Sequence, residues 1–102
     1  MDFNCLDIES AIGFDWDDGN KTKSKIKHNI SWDIAEEVFL NNPLLLLKDS
    51  KHSQYECRCI AFGSTNSHKL LTIAFTKRDN KIRIISARPM NKKERIYYET
   101  NS

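Results

Sequence analysis

The stretch Leu70–Arg88, LLTIAFTKRDNKIRIISAR, carries the clearest structural pattern in this chain of 102 residues. Leu70 to Thr76 is apolar enough to form a central strand, and Ile82 to Arg88 is a second run rich in β-branched residues. Between them, Asp79-Asn80 is typical of a tight turn, because both residue types tolerate the backbone that a two-residue hairpin needs. The sequence therefore predicts a β-hairpin at this place.

Alternation along each strand predicts which side chains share a face. On the last strand, Ser86 and Arg88 should lie on one face and Arg83 on the other. On an earlier predicted strand, Glu56 and Arg58 should be neighbours on the same face.

The remaining segments supply further elements around the hairpin. The predicted elements are a short strand over Ile12 to Trp16, a helix from Asp17 through the lysine-rich stretch, a helix after Ser31 that stops at Asn41-Asn42-Pro43, strands near Leu44 to Leu47 and over Gln54 to Phe62, the hairpin, and a last helix capped by Asn91 and Glu94. Consecutive strands with tight connections favour an antiparallel meander. We therefore expect an α+β domain whose two N-terminal helices and C-terminal helix pack on one face of the sheet.

Length and composition indicate one soluble domain over residues 1–102. The chain is 39% hydrophobic and 29% charged, and no apolar run approaches the length of a membrane span. The N-terminus has no basic region followed by an apolar stretch, so we expect no secretion signal and a cytoplasmic location. The three cysteines are odd in number, and Cys57 and Cys59 are spaced C-x-C, which favours reduced thiols.

Charge is distributed unevenly along the chain. Residues 1–19 contain acids and no Lys or Arg, residues 21–27 contain lysines and no acid, and residues 77–95 are again strongly basic. If the fold brings the two basic stretches together, they would attract phosphate groups. The alternative is that each stretch is a solvated face.

Several kinds of chemistry find no support in the sequence. The C-x-C spacing and the isolated histidines do not match a zinc site, and we expect no metal and no cofactor. Neither a Gly-rich phosphate loop nor a G-x-S-x-G motif occurs. The residue types that remain suit metal-free cleavage of RNA, which needs a general base, a general acid and cations that stabilise the phosphate.

The candidates for that chemistry are His28, Glu56, Arg58, Arg78 and Arg88. Histidine, or a glutamate with a raised pKa, can transfer protons, and arginine can bind phosphate. Three of them also have structural explanations, since His28 could cap a helix C-terminus and Glu56 and Arg58 could form cross-strand ion pairs.

The sequence also resembles a known family, the BrnT toxins of BrnT/BrnA toxin–antitoxin systems. The resemblance covers about residues 12–99 and leaves residues 1–11 as an acidic leader. It rests on Phe14-Asp15-Trp16-Asp17, Lys27-His28-Asn29-Ile30-Ser31, Ala35 to Phe39, Pro43, Asp49, His52, Glu56, Arg58, Gly63, Arg83-Ile84-Ile85-Ser86-Ala87-Arg88, Glu94-Arg95 and Tyr98-Glu99. Asn29 stands where the family usually has Gly, and Asn tolerates the left-handed backbone that a Gly would supply.

The resemblance implies a RelE-like ribonuclease fold and cleavage of RNA without a metal. It also implies neutralisation by a BrnA-like antitoxin, which carries a ribbon-helix-helix DNA-binding region and would be the only contact with operator DNA. The matched polar positions are His28, Glu56, Arg58, Arg83, Ser86 and Arg88, with Arg78 at a commonly basic position. We assign catalysis to His28, Glu56, Arg58, Arg78 and Arg88, and RNA binding to Lys25, Lys27, Arg83 and Ser86.

The sequence thus predicts a toxin endoribonuclease, or mRNA interferase. An alternative function is a non-catalytic module that acts with a DNA-binding partner as a transcriptional co-repressor.

Overall fold

A four-stranded antiparallel sheet forms the centre of the protein. The computed structural model describes residue 8, residues 11–17, residue 19, residues 28–49 and residues 57–102. In chain order the elements are helix α1 (Trp32–Leu40), strands β1 (Leu45–Lys48), β2 (Arg58–Ser64), β3 (Leu70–Arg78) and β4 (Lys81–Pro89), and helix α2 (Lys92–Asn101). The strand order is β1-β2-β3-β4 with every neighbouring pair antiparallel. The predicted α+β class and meander are therefore confirmed, while the helix predicted after Asp17 lies almost wholly outside the described residues.

The main core lies between α1 and one face of the sheet, which we call the core face. Cys59, Ala61, Ile73, Phe75, Ile84 and Ala87 on this face are at most 2% exposed. From α1, Ala35 and Val38 are buried against them. The Phe39 ring meets Phe75 edge-on, with centroids 5.1 Å apart. The apolar positions of α1 thus recur at the helical spacing that the sequence indicated.

Helix α2 packs on the opposite face of the sheet. Tyr97 stacks edge-on against Phe62 at 5.8 Å, and Phe62, Met90 and Tyr98 form a second small apolar cluster. The strand register places Phe62 opposite Thr72, both on the face away from α1. The expectation that all helices share one face is therefore wrong, because the short connection Met90-Asn91 carries the chain to the other side of β4.

The hairpin between β3 and β4 turns at the predicted dipeptide. Asp79 and Asn80 both have positive φ, at 53° and 62°. Two consecutive left-handed residues are the backbone of the tight turn that matches the twist of the flanking strands. The Asn91 side chain accepts from the backbone of Glu94, whose side chain accepts in turn from the backbone of Asn91, so the predicted capping box is also present.

Gly63 allows α1 to approach β2 closely. A Cβ at this position would lie 2.7 Å from Cγ1 of Val38. Any other residue type would displace the Val38 side chain or the helix, because real Cβ atoms do not approach that closely. The glycine therefore sets the distance between α1 and the sheet.

Residues 11–17 run along the outer edge of β4. The Ile82 amide donates to the Gly13 carbonyl at 2.9 Å, and the Asp15 amide donates to the Ile82 carbonyl at 2.8 Å. Phe14 forms an isolated parallel bridge with Ile82. The strand predicted over Ile12 to Trp16 is therefore present only as this single bridge, through which the segment pairs with β4.

The cysteines differ in state. Cys59 is fully buried and disulfide-bonded, whereas Cys57 is a free thiol. The prediction of reduced thiols is therefore wrong for Cys59. A disulfide depends on which side chain the fold brings against Cys59, and the spacing along one strand does not contain that information. Within the described part of the chain, neither helix has the length and apolar composition needed to cross a membrane.

Candidate active site

The face of the sheet away from α1 carries a set of cationic and hydroxyl side chains, which we call the basic face. The register aligns Arg58 on β2 with Thr76 on β3 and Arg83 on β4. Ser86 and Arg88 follow in the next two rows along β4. Neighbouring strands lie about 4.8 Å apart, so the Cα atoms of Arg58 and Arg83 are separated by about 10 Å.

A β-bulge in β4 determines which side chains reach the basic face. Phe75 pairs with Ile84, but Ala74 pairs with Ser86, so Ile85 is an extra residue on β4. One extra residue reverses the alternation beyond it. Arg83 therefore shares its face with Ser86 and Arg88, and the prediction that it points the other way is wrong.

Arg83 is bound by two carboxylates from the segment at the sheet edge. Its Nη2 donates to Oδ2 of Asp17 at 2.6 Å, and its Nη1 lies 3.6 Å from Oδ2 of Asp15. The Arg83 side chain is only 20% exposed. The N-terminal segment thus places acidic groups directly beside the basic face.

Arg88 forms a two-bonded ion pair with Glu94 at the other end of the face. Its Nη1 and Nη2 donate to Oε1 and Oε2 of Glu94 at 2.7 and 2.8 Å. Thr72 donates to the same carboxylate at 3.0 Å, and the Asn91 amide donates to it at 2.9 Å. The pair therefore fixes the first turn of α2 against β3 and β4.

This hydrogen-bond network shifts the pKa values of both Glu94 and Arg88. The hydrogen bond from Arg88 lowers the pKa of Glu94; partial burial opposes this effect, and the Asn91 amide and the Thr72 hydroxyl reinforce it. The hydrogen bond to Glu94 raises the pKa of Arg88 against the opposing effect of burial. Both groups are held in their charged forms.

His28 lies in a cleft at the end of the sheet where β3 begins and β4 ends. The cleft has a volume of about 420 Å³ and is lined by His28, Asn29, Ile30, His68, Lys69, Leu70, Leu71, Pro89, Met90 and Arg95. Pro89 pairs with the buried residue Leu71 and so lies on the core face, whereas Leu70 and Met90 belong to the Phe62 cluster on the other side of the sheet. His28 is therefore placed beside the basic face rather than on it.

The four-stranded sheet, helix α1 and the first residues of α2 fall within a stretch of sequence that matches a known protein family. Residues 16–94 match the family described as the ribonuclease toxin, BrnT, of type II toxin–antitoxin systems. The chain belongs to the BrnT family. No individual curated protein matches the chain.

The structure of this BrnT toxin brings together only part of the predicted site. Arg58, Arg83, Ser86 and Arg88 lie on the basic face, and alternation from Thr76 places Arg78 on the same face at the hairpin end. Glu56, Lys25 and Lys27 lie outside the described residues.

Three side chains around the cleft of this BrnT toxin were not predicted as site residues. His68 and Lys69 belong to the β2–β3 loop, and Arg95 belongs to α2. The segment Thr65-Asn66-Ser67-His68-Lys69 reads as a polar turn in the sequence, and only the presence of a histidine and a lysine in so short a turn could have drawn attention to it.

The His, Cys, Asp and Glu side chains that the structure describes are scattered rather than gathered into a metal site. Among these described side chains, no group of three or more is arranged to hold a metal ion.

Proposed function

We propose that this BrnT toxin is an endoribonuclease that cleaves RNA without a metal and that its substrate phosphates lie on the basic face. The observation that carries the proposal is the bulge at Ile85, which gathers Arg83, Ser86 and Arg88 on the same face as Arg58. Clustered arginines and hydroxyls on one sheet face provide the charge-assisted hydrogen bonds that phosphate groups require. The family assignment agrees with this activity.

The proposed reaction is attack of a ribose 2′-oxygen on the adjacent phosphorus with departure of the 5′-oxygen. A base removes the 2′-hydroxyl proton, and an acid delivers a proton to the leaving oxygen, so the products are a 2′,3′-cyclic phosphate and a 5′-hydroxyl. We assign the proton transfers to His28 and Glu56, which are residue types that titrate within reach of neutral pH when suitably placed. Arg58 and Arg78 stabilise the charge that grows on the phosphate.

Arg88 can still bind a substrate phosphate although it forms an ion pair with Glu94. Its contacts with Glu94 and the Pro89 carbonyl occupy donors on Nη1 and Nη2. A guanidinium has five N–H groups, and the hydrogen bonds of Arg88 to described residues use three of them, which leaves Nε–H and one Nη2–H for a phosphate oxygen. In this arrangement Glu94 holds the guanidinium in a fixed orientation, which favours a defined transition-state contact. Lys25, Lys27, Arg83 and Ser86 would bind the flanking RNA.

The test is cleavage of RNA by the purified chain in excess chelator, with DNA of the same sequence as the control substrate. We expect RNA to be cleaved and DNA to remain intact, because DNA lacks the attacking hydroxyl. Arg58→Ala should lower kcat by about a hundredfold, whereas Lys48→Ala on the far edge strand should not change it. Cleavage that requires added magnesium or zinc would contradict the mechanism.

We further propose that a BrnA-like antitoxin silences the toxin in the cytoplasm by covering the basic face. An antitoxin segment that folds on binding can wrap this surface and leave a ribbon-helix-helix region free for operator DNA.

A co-repressor without catalytic activity is the second candidate. The observation in its favour is that Arg83 and Arg88 are both already bound to carboxylates of the same chain. A chain that binds its antitoxin and RNA normally but leaves the phosphodiester intact in the cleavage assay would support this alternative.

A further inference from the structure

The cleft around His28 has an apolar floor and a cationic rim. Ile30, Leu71 and Met90 are buried beneath it, whereas His68, Lys69 and Arg95 at its mouth are exposed. Its volume of about 420 Å³ falls in the range of about 300–1,000 Å³ that is usual for small-molecule sites. The cleft thus combines a surface for a flat apolar group with a surface for an anion.

The charge of the rim is of one sign. Lys69 and Arg95 are cations, His28 and His68 are neutral or cationic, and among the described residues that line the cleft none is Asp or Glu. The nearest acid along α2, Glu94, is occupied by Arg88. A ligand that enters the cleft therefore meets an electrostatic field that favours a negative group.

The loop that carries His68 and Lys69 is held in place before any ligand arrives. The Thr65 amide donates to the Lys69 carbonyl at 2.9 Å, and the Lys69 amide donates to the Thr65 hydroxyl at 3.1 Å. The C-terminal end of α1 holds the loop from outside, because Asn41, which follows the helix, donates to the Ser64 carbonyl and Glu37 accepts from the Asn66 amide.

Two lining residues have left-handed backbones. His68 has a φ of 67° and Asn29 has a φ of 57°. Such a conformation is unfavourable for most side chains, and it concentrates at binding sites whose surroundings enforce it. Both residues sit at the cleft, so the enforced backbone and the cationic rim occur at the same place.

We propose that this cleft binds one nucleotide of the RNA. The base lies on the apolar floor and the His68 ring, and the phosphate lies on Lys69 and Arg95. Bases of single-stranded RNA stack on histidine rings and arginine planes, and their phosphates pair with the same kinds of cation found at this rim. Leu70 and Met90 line the cleft and pack in the Phe62 cluster, on the side of the sheet that carries the basic face, so a strand bound on that face can extend into the cleft. The proposal rests on the proposed function and adds a substrate subsite to it.

The test separates nucleotide binding from cleavage. Adenosine 5′-monophosphate, adenosine and inorganic phosphate are each titrated into the intact chain while the His28 and His68 ring protons are followed by NMR. We expect the nucleotide to shift both rings and to bind at least about tenfold more tightly than either adenosine or phosphate, because only the nucleotide occupies floor and rim together.

Variants then assign the contacts. Lys69→Ala and Arg95→Ala should each weaken nucleotide binding about tenfold. Lys93→Ala on α2 and Lys48→Ala on β1 remove equal charge outside the cleft and should leave binding unchanged. His68→Gly should weaken binding while preserving the fold, because glycine accepts the left-handed backbone at this position.

Three results would overturn the proposal. Inorganic phosphate could bind as tightly as the nucleotide, or the Lys69 and Arg95 variants could affect nucleotide binding no more than the two lysine controls. The third is that the Lys69 and Arg95 variants weaken antitoxin binding but not nucleotide binding. Because the titration involves no bond cleavage, nucleotide binding in a chain that fails the RNA cleavage assay would count against the proposed activity and not against the cleft. Cleavage with no nucleotide in the cleft would count against the cleft alone.

Discussion

At the scale of single residues, Glu94 links the stability of the protein to pH. Its pKa is lowered in the folded state, chiefly by the hydrogen bond from Arg88. A carboxyl whose folded pKa lies below its unfolded pKa contributes stability above the unfolded value and loses that contribution as pH falls through the folded value. The contribution of Glu94 is therefore complete at neutral pH and declines below the ordinary value of 4.5.

Glu94→Gln should lower the free energy of unfolding at pH 7 by about 1–2 kcal/mol. Glutamine keeps the hydrogen-bonding role in the capping box, so the variant removes mainly the charge. Urea denaturation of both proteins between pH 7 and pH 3 checks this. The difference between them should shrink as the pH falls below about 4.5, and a difference that is constant over this range would contradict the assignment.

Arg88 has two candidate roles, and one comparison separates them. If Arg88 contacts the reacting phosphate, Arg88→Ala should lower kcat at least about tenfold more than Glu94→Gln, since only the first variant removes a cation from the basic face. If Arg88 serves only to anchor α2, the two variants should lose activity in proportion to their loss of stability. RNA cleavage rates normalised to the folded fraction provide the measurement.

Sequence reasoning succeeded at residues whose local chemistry decides their conformation. Asn29 has the left-handed backbone expected of it, and Asn91 and Glu94 form the expected capping box. It failed for Arg83, because the face of a strand residue depends on its register with the neighbouring strand. The bulge at Ile85 lies in a run rich in β-branched residues and has no recognisable signal in the sequence.

At the scale of elements, the contact between α1 and β2 depends on the missing side chain at Gly63. Gly63→Ala should destabilise the protein by about 1–3 kcal/mol, because the added methyl group meets Val38 at 2.7 Å. Val38→Ala alone should also destabilise, by leaving a cavity. The double variant should be more stable than the sum of the two single losses predicts. Denaturant unfolding of the unchanged protein, the two single variants and the double variant measures this. Additive losses would show that the helix moves away rather than clashing.

The order of the elements could be predicted, but their placement could not. Hydrophobic periodicity, turn residues and caps gave the hairpin, α1 and α2 and the meander, because these signals are local. The face on which α2 packs depends on the path of two connecting residues and on Phe62, which offers an apolar patch on the far side of β2. Only tertiary contacts select that side.

At the scale of the whole molecule, the charge of the basic face should govern association with the antitoxin. Arg78→Glu combined with Lys81→Glu reverses the charge at the hairpin end and should slow association at low salt about tenfold, with a weaker dependence on salt. Lys48→Glu, on the edge strand at the other side of the sheet, is the control. Stopped-flow association rates that do not change in the double variant would place the antitoxin elsewhere.

The sequence predicted the residue types of the candidate site but not all of the residues that surround it. The arginines of the basic face follow from the family motifs and from residue type, whereas His68, Lys69 and Arg95 come from a loop and a helix that meet His28 only in the folded chain. Residues that converge on a cleft from separate elements leave no spacing pattern along the sequence.

Residues 12–15 give the molecule a property apart from activity. By occupying the outer edge of β4 through Asn80 and Ile82, they cover backbone groups that would otherwise be a template for a strand of another molecule. Removal of this segment would leave β4, with nine residues the joint-longest strand, open to pairing between copies. Shortening the chain from its N-terminus should therefore cause aggregation, visible as a rise in light scattering, before the hairpin itself unfolds.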